Sequence, residues 1–321
     1  MSKVKNQHYV PQFYLNNFAF KKSKLWYVNV FDKFEQKQFA VPVSQVASQR
    51  YFYDLSDNLV AEGNTQIVEK ILAKYEERAA KLMRHIVRKI EAIWRLDKSK
   101  AYSINVFTEN QQIELSHLIA IQALRTRESR DYFVEFSEKT LRAIVDLIMA
   151  AEFPDSRNEI KSSVKLNKNF VRIIQAQLIL GKSKISEAIL NHIWLIGINQ
   201  TSRPLFTSDH PVATQAHLDY SGYSSEGIEI AFPINSKIIL ILLEKSHFAQ
   251  YAHLHNKLLS MTLLETVTHL NRLQIHNSHR QVYCNEDKFD LVKEICKSQP
   301  DVCSEHKSRI DIISGLGRAS T

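Results

Sequence analysis

A handful of polar residues in this sequence sit among apolar neighbours, and their types suit proton transfer and anion binding. His8 and Gln12 flank Pro11 in NQHYVPQFYLNNF, residues 6 to 18, where Phe13, Tyr14 and Phe18 supply apolar anchors. Projected at about 100° per residue, Glu76 falls inside the edge of an apolar helical arc near Met83, Val87 and Trp94, with Glu69 one place further round. Gln122 and Arg125 lie three residues apart on IELSHLIAIQALRTR, a helix apolar nearly all round and therefore buried. A buried carboxylate needs a cation, hydrogen-bond donors or a metal, or its pKa rises until it is neutral. Arg125 is thus expected to meet Glu76, Glu69 or Asp209 in a charged knot where helices meet. Asp209 follows Ser208 in LFTSDHPV. Either this is a strand end whose polar residues point into a cleft, Pro211 keeping the preceding residue extended, or Ser208 and Asp209 bond their own backbone in an Asx-type turn.

The elements that must position these residues follow from periodicity. Residues 25 to 54 alternate in LWYVNVF, KQFAVPV and RYFYDL, which predicts short strands with a turn near Asp32-Lys33. PQFYLNNF reads as a short helix opened by Pro11, whose missing N–H is no loss in a first turn. From Thr65 to about Arg95, Val68, Leu72, Tyr75, Ala79, Met83, Ile86 and Ile90 recur at three- and four-residue steps, predicting an amphipathic helix. Its opposite side carries Lys70, Lys74, Arg78, Lys81, Arg84, His85 and Arg88, either a solvated face or a basic stripe with a partner. Helices are predicted from Thr108 or Asn110 through Arg127, over about 131–151 and over about 158–191. IWLIGI, PLFTSDHPVAT, IEIAFPI and KIILILLE then read as strands, followed by a helix at about 255–274, a strand RQVYCN and a helix at 287–297. This order predicts an α+β fold: a central helical block packed against a mixed or antiparallel sheet formed by N-terminal and C-terminal strands. One domain is expected over 6–297, with a flexible C-terminal tail over 298–321.

The totals narrow the class. With 321 residues, 44% hydrophobic and 24% charged, the chain can bury a core and is neither disordered nor a disulfide scaffold. No stretch approaches the ~20 apolar residues of a membrane helix and no hydrophobic signal region follows the basic start, which points to the cytoplasm and to no membrane partner. Cys284, Cys296 and Cys303 are odd in number and irregular in spacing, as expected of reduced thiols. The net charge of +8 suits RNA or DNA, or is solubility charge alone. The glycine-rich dinucleotide and Walker motifs, GxSxG and HExxH are missing, which disfavours the enzymes they mark. RLQIHNSH at 272–279 imitates an Arg-to-His ribonuclease spacing, but it falls on a helix expected to pack as core.

HYVPQFYLNNF at the start, VEKILAKYE, IAIQALRTR and the later FTSDHPV together resemble family 4238 of the bacterial domains of unknown function, over most of residues 6 to 285. The resemblance implies that His8, Pro11, Gln12, Tyr14, Glu76, Gln122, Arg125, Ser208, Asp209 and Pro211 occupy positions typical of that family. Asn16, where the family often has arginine, and His210, where it often has asparagine, depart from the pattern.

Three functions compete. In the first, His8, Glu76 and Asp209, with Mg²⁺ or Mn²⁺ as the expected metal, activate water while Arg125 and Gln122 hold a phosphate or stabilise developing negative charge. Gln12, Tyr14 and Ser208 then contact the substrate. This reading makes the protein a nuclease or phosphohydrolase acting on nucleic acid or a nucleotide, with phage defence as its setting. In the second, Arg125 and Gln122 sense a small anionic ligand without turnover. In the third, the polar knot only specifies how helices pack on the sheet.

Overall fold

The computed structural model describes residues 3–57, 60, 64–96, 102–152, 165–219, 221–305 and 307–310. Strand β1 (Asn6–His8) pairs antiparallel with β5 (Ser48–Arg50), placing the opening motif on a two-stranded ribbon. Pro11, with φ −62° and ψ 141°, caps the short helix α1 (Gln12–Leu15), and a 3-10 turn at Asn16–Phe18 completes the motif. Strands β2 (Phe20–Lys22), β3 (Leu25–Asp32) and β4 (Lys37–Pro42) follow. RYFYDL was expected to be a strand, but only its first residue lies in one; residues 51–53 turn away, with Tyr51 at φ 53°.

The helical block is α2 (Ile67–Leu96), α3 (Glu109–Leu124), α4 (Arg127–Glu152), α5 (Lys168–Leu180) and α6 (Ser183–Leu190). The start of the helix predicted at 158–191 lies outside the described residues through 164. Helix α3 opens with a capping box: Gln111 N–H donates to the Thr108 hydroxyl and the Thr108 N–H to the Gln111 side chain. Leu115, Leu118, Ile119, Ile121 and Leu124 of α3 are all buried, so it serves as the axis of the block.

Strands β6 (Ile193–Asn199), β7 (Thr207–Ser208), β8 (Ala213–Ala216), β9 (Ile228–Pro233), β10 (Ile238–Leu243) and β11 (Lys257–Met261) come next, then α7 (Leu264–Asn277), β12 (Gln281–Cys284) and α8 (Asp290–Ser298). One five-stranded sheet runs β11-β6-β10-β9-β8, parallel only between β11 and β6. A second runs β2-β3-β12-β7, with β4 on the other side of β3. The second sheet joins N-terminal and C-terminal strands as expected, whereas the first is built wholly from the later chain. Gly197 lets the first sheet close, because a Cβ there would lie 2.7 Å from Met261 Sδ and 3.0 Å from Ile239 Cγ2. The helix expected at 255–274 begins later, at Leu264: KLLSM pairs with β6 instead, and hydrogen bonding to a buried strand overrides local helical pattern.

The chain past residue 297 departs from the expected tail. Cys296 and Cys303 form a disulfide that joins α8 to a 3-10 turn at Pro300–Cys303, which corrects the expectation of reduced thiols; Cys284 is free and buried. Lys307 and Arg309 then dock on α4 through Glu128, at 2.9 and 3.0 Å. The domain boundary placed at 297 therefore falls short of Ile310, and residues 311–321 lie outside the described residues. Among the described residues no helix is long and apolar enough to cross a membrane.

Candidate functional site

The opening motif is held from two sides. Gln7 accepts from Tyr53 N–H at 2.6 Å and donates to Asp54 at 2.5 Å, locking β1 to the chain after β5. From the C-terminal end of α3, Gln122 donates to the Tyr9 carbonyl at 3.1 Å and Arg125 to the His8 carbonyl at 2.7 Å. One helical turn separates the two donors, so they grip the successive carbonyls of His8 and Tyr9.

Arg125 is only 2% exposed, and its guanidinium meets Glu76 at 2.7 Å, the His8 carbonyl, and the Tyr53 hydroxyl at 3.3 Å. Burial alone would lower its pKa, but Tyr53 and Glu76 outweigh that and raise it, so the group is a permanent cation. The predicted knot thus forms with Glu76. Glu69, two turns earlier on the same helix, feels Arg125 through its field but makes no ion pair with it among the described residues. Burial pushes the Glu69 carboxyl up to about 7, the field of Arg125 opposes this, and Glu76 adds to it.

These groups border a cleft of about 590 Å³ lined by His8, Gln12, Ser44, Glu69, Glu76 and Glu77. Two buried atoms at its wall have no hydrogen-bond partner among the described residues, His8 Nε2 and Glu69 Oε2. Buried polar atoms of native proteins are paired in the great majority, so two orphans on one cleft mark a place where a ligand or water completes the structure. Burial lowers the His8 pKa, a hydrogen bond to the Ser44 backbone and the Glu76 charge partly offset this, and the Arg125 charge adds to the lowering. A neutral imidazole and a carboxyl poised near neutrality on one cleft can accept and donate protons at physiological pH.

Of the residues expected to act, the fold brings His8, Gln12 and Glu76 to the cleft, with Arg125 directly behind and Gln12 at the exposed rim. It withholds the others. Arg125 and Gln122 are each 2% exposed and hold the backbone of the opening motif from behind the cleft, Arg125 through His8 and Gln122 through Tyr9. Tyr14 is a core residue: its hydroxyl donates to the Pro233 carbonyl at 2.7 Å, lies 2.8 Å from Thr207 Oγ1, and its ring stacks on Phe232. Ser208 is fully buried, 3.1 Å from Gln274 Oε1. Asp209 points neither into the cleft nor at its own turn. It accepts from the backbone N–H groups of His279, Arg280 and Gln281 at 2.8, 2.8 and 2.9 Å, pinning the link between α7 and β12.

Glu69, expected only as one of three acids for Arg125, is a second carboxylate of the cleft. Its seven-residue offset from Glu76 puts both carboxylates on one face, a signal that was available. Among the described residues no group of three or more His, Cys, Asp or Glu side chains is arranged to hold a metal ion, so the expected Mg²⁺ or Mn²⁺ has no ready ligand set. Neither curated proteins nor solved structures give a match to this chain. The profile of a family described as protein of unknown function (DUF4238) matches residues 6–288, and the chain, with its gripped HYVPQFY strand and its Glu76–Arg125 pair inside that span, belongs to this family.

Proposed function

We propose that the cleft is the proton-transfer site of a hydrolase acting on the phosphodiester bonds of nucleic acid. The observation that carries the reading is the pair of orphaned atoms, His8 Nε2 and Glu69 Oε2, on one cleft. Neutral His8 takes a proton from water as the water oxygen bonds to phosphorus. Protonated Glu69 gives its proton to the departing sugar oxygen as the P–O bond breaks. Glu76, held by Arg125, keeps a negative charge beside His8 that favours the imidazolium once it forms.

An acidic cleft would repel a polyanion, but its charge is largely compensated. Glu69 is half-protonated near neutrality, Glu76 is paired with Arg125, and Glu77 is paired with Lys81 at 2.9 Å. Along the same helix, Lys70, Lys74, Arg78, Arg84 and Arg88 are exposed and form no ion pair among the described residues, a track that suits a phosphate backbone.

The test is a cleavage assay on single-stranded and duplex RNA and DNA, with Mg²⁺, Mn²⁺ or EDTA, comparing wild type with Glu69→Gln and His8→Gln at matched folded fraction. Cleavage by wild type is expected, with each variant slower by about 10²-fold or more. The pH profile should be bell-shaped: activity falls above about 7 as Glu69 loses its proton, and falls on the acid side, below 6.5, as His8 gains one. No cleavage of any substrate, or a Glu69→Gln protein as active as wild type, sinks the proposal.

A further inference from the structure

A larger cavity, about 860 Å³, lies apart from the cleft, between the start of α4, α6, β8, β9 and the docked segment at 301–309. Its volume is in the range of small-molecule sites. Leu124, Phe133, Ile185 and Ile228 give it an apolar wall. The charges of its inner wall are paired with one another: Glu128 accepts from Lys307 at 2.9 Å and from Arg309 at 3.0 and 3.1 Å, and Arg309 also meets Asp131 and Glu135 at 3.7 Å, while Asp301 stands at the exposed rim. The inner wall therefore holds no unpaired charge to select a charged ligand.

Among the polar groups of the wall, His210 is held in a fixed orientation. His210 lines the cavity, is 8% exposed, and its Nε2 has no hydrogen-bond partner among the described residues. Its Nδ1 lies 2.6 Å from Thr126 Oγ1, which already accepts from Ser129 N–H at 3.2 Å. Thr126 is fully buried, and Nδ1 is the acceptor its hydroxyl hydrogen reaches among the described residues. The threonine therefore donates to Nδ1, which fixes the imidazole as the Nε2–H tautomer and turns a single N–H donor toward the cavity. Burial, which presses the His210 pKa down to about 4, keeps the ring in this neutral form. The aim of the ring is fixed from behind: His210 N–H donates to Ser208 Oγ at 3.2 Å, and Asp209 is held by three backbone donors.

We propose that this cavity is a ligand-binding site separate from the cleft, and that it takes an uncharged, largely apolar small molecule offering a carbonyl or ether oxygen to His210 Nε2–H. The hydroxyls of Ser129 and Tyr223 line the same cavity and supply further hydrogen bonds to such a ligand. On this reading, TSDHP is a device that aims a histidine, and its serine and aspartate are positioning residues.

The test uses Nile red, a neutral aromatic dye with a carbonyl oxygen, titrated into the full chain and read by fluorescence, with melting curves for every variant. Wild type should bind it saturably at one equivalent with a blue-shifted emission. Ser129→Trp and Ile185→Trp, which fill the cavity from different walls, should each weaken binding at least about tenfold, and His210→Phe, which removes the donor and keeps the bulk, about tenfold. Glu69→Gln should bind as wild type does, so the site stands or falls apart from the hydrolase proposal. Non-saturable or multi-site binding by wild type, or unchanged affinity in any folded tryptophan variant, overturns the inference. If one tryptophan variant does not fold, the other and the wild-type stoichiometry decide.

Discussion

Two carboxylate sites in this molecule look alike in sequence and differ in burial and completeness. Asp209, 1% exposed, has each carboxylate oxygen taken by backbone donors and serves a joint between α7 and β12. The Glu69–Glu76 face of α2 meets one buried arginine, and that arginine is shared with the His8 carbonyl and Tyr53, so Glu69 Oε2 and His8 Nε2 go without partners. A saturated carboxylate is a structural part. An unsaturated one, bordering a cleft, has capacity left for chemistry.

The sharpest way to break this comparison is Asp209→Ala, which strands three buried N–H groups. It should cost roughly 3–6 kcal/mol in urea unfolding while leaving the specific activity of the folded fraction unchanged. A variant that is stable but inactive would move Asp209 from scaffold to site. Arg125→Met should cost roughly 3 kcal/mol, less than a fully buried pair because Glu76 keeps 28% of its side-chain surface. Adding Glu76→Leu should restore much of that loss, since no charge is then left unpaired.

Glu128→Gln weakens the clamp on Lys307 and Arg309 and should cost about 1–2 kcal/mol, with faster amide exchange confined to residues 300–310. The smallest effect should come from Glu69→Gln. The folded pKa of Glu69, about 7, lies above its ordinary 4.5, so the native state holds an extra proton between those values and stability falls as pH rises through that window. Melting curves from pH 5 to 8 should show wild type declining relative to Glu69→Gln. Parallel curves would mean that Glu69 is solvated.

The sequence made the Glu76–Arg125 pair legible because both residues sit on helices whose periodicity assigns them a buried face. Periodicity says nothing about backbone donors contributed from 70 residues away, so the partners of Asp209 were out of reach. The same limit hid Arg125's contact with the His8 carbonyl. The odd cysteine count disguised the Cys296–Cys303 bridge, and the strand at Lys257–Met261 was masked by a helix-like run. The cavity around His210 had no sequence signal at all, since its walls come from elements scattered along the chain. The α+β class survived these errors because it depends only on the order of elements.

The place of β12 has a consequence for how the chain is made. This strand fills the gap between β3 and β7, and its first residue pairs with Asp32, 249 residues earlier. While the ribosome is still working through the middle of the message, the early hairpin has been translated with one edge open. A product cut short before Gln281 keeps that edge exposed, a ready template for pairing with another chain. Such distant pairing also slows folding. The last eighth of the polypeptide thus closes an edge that the first eighth leaves open.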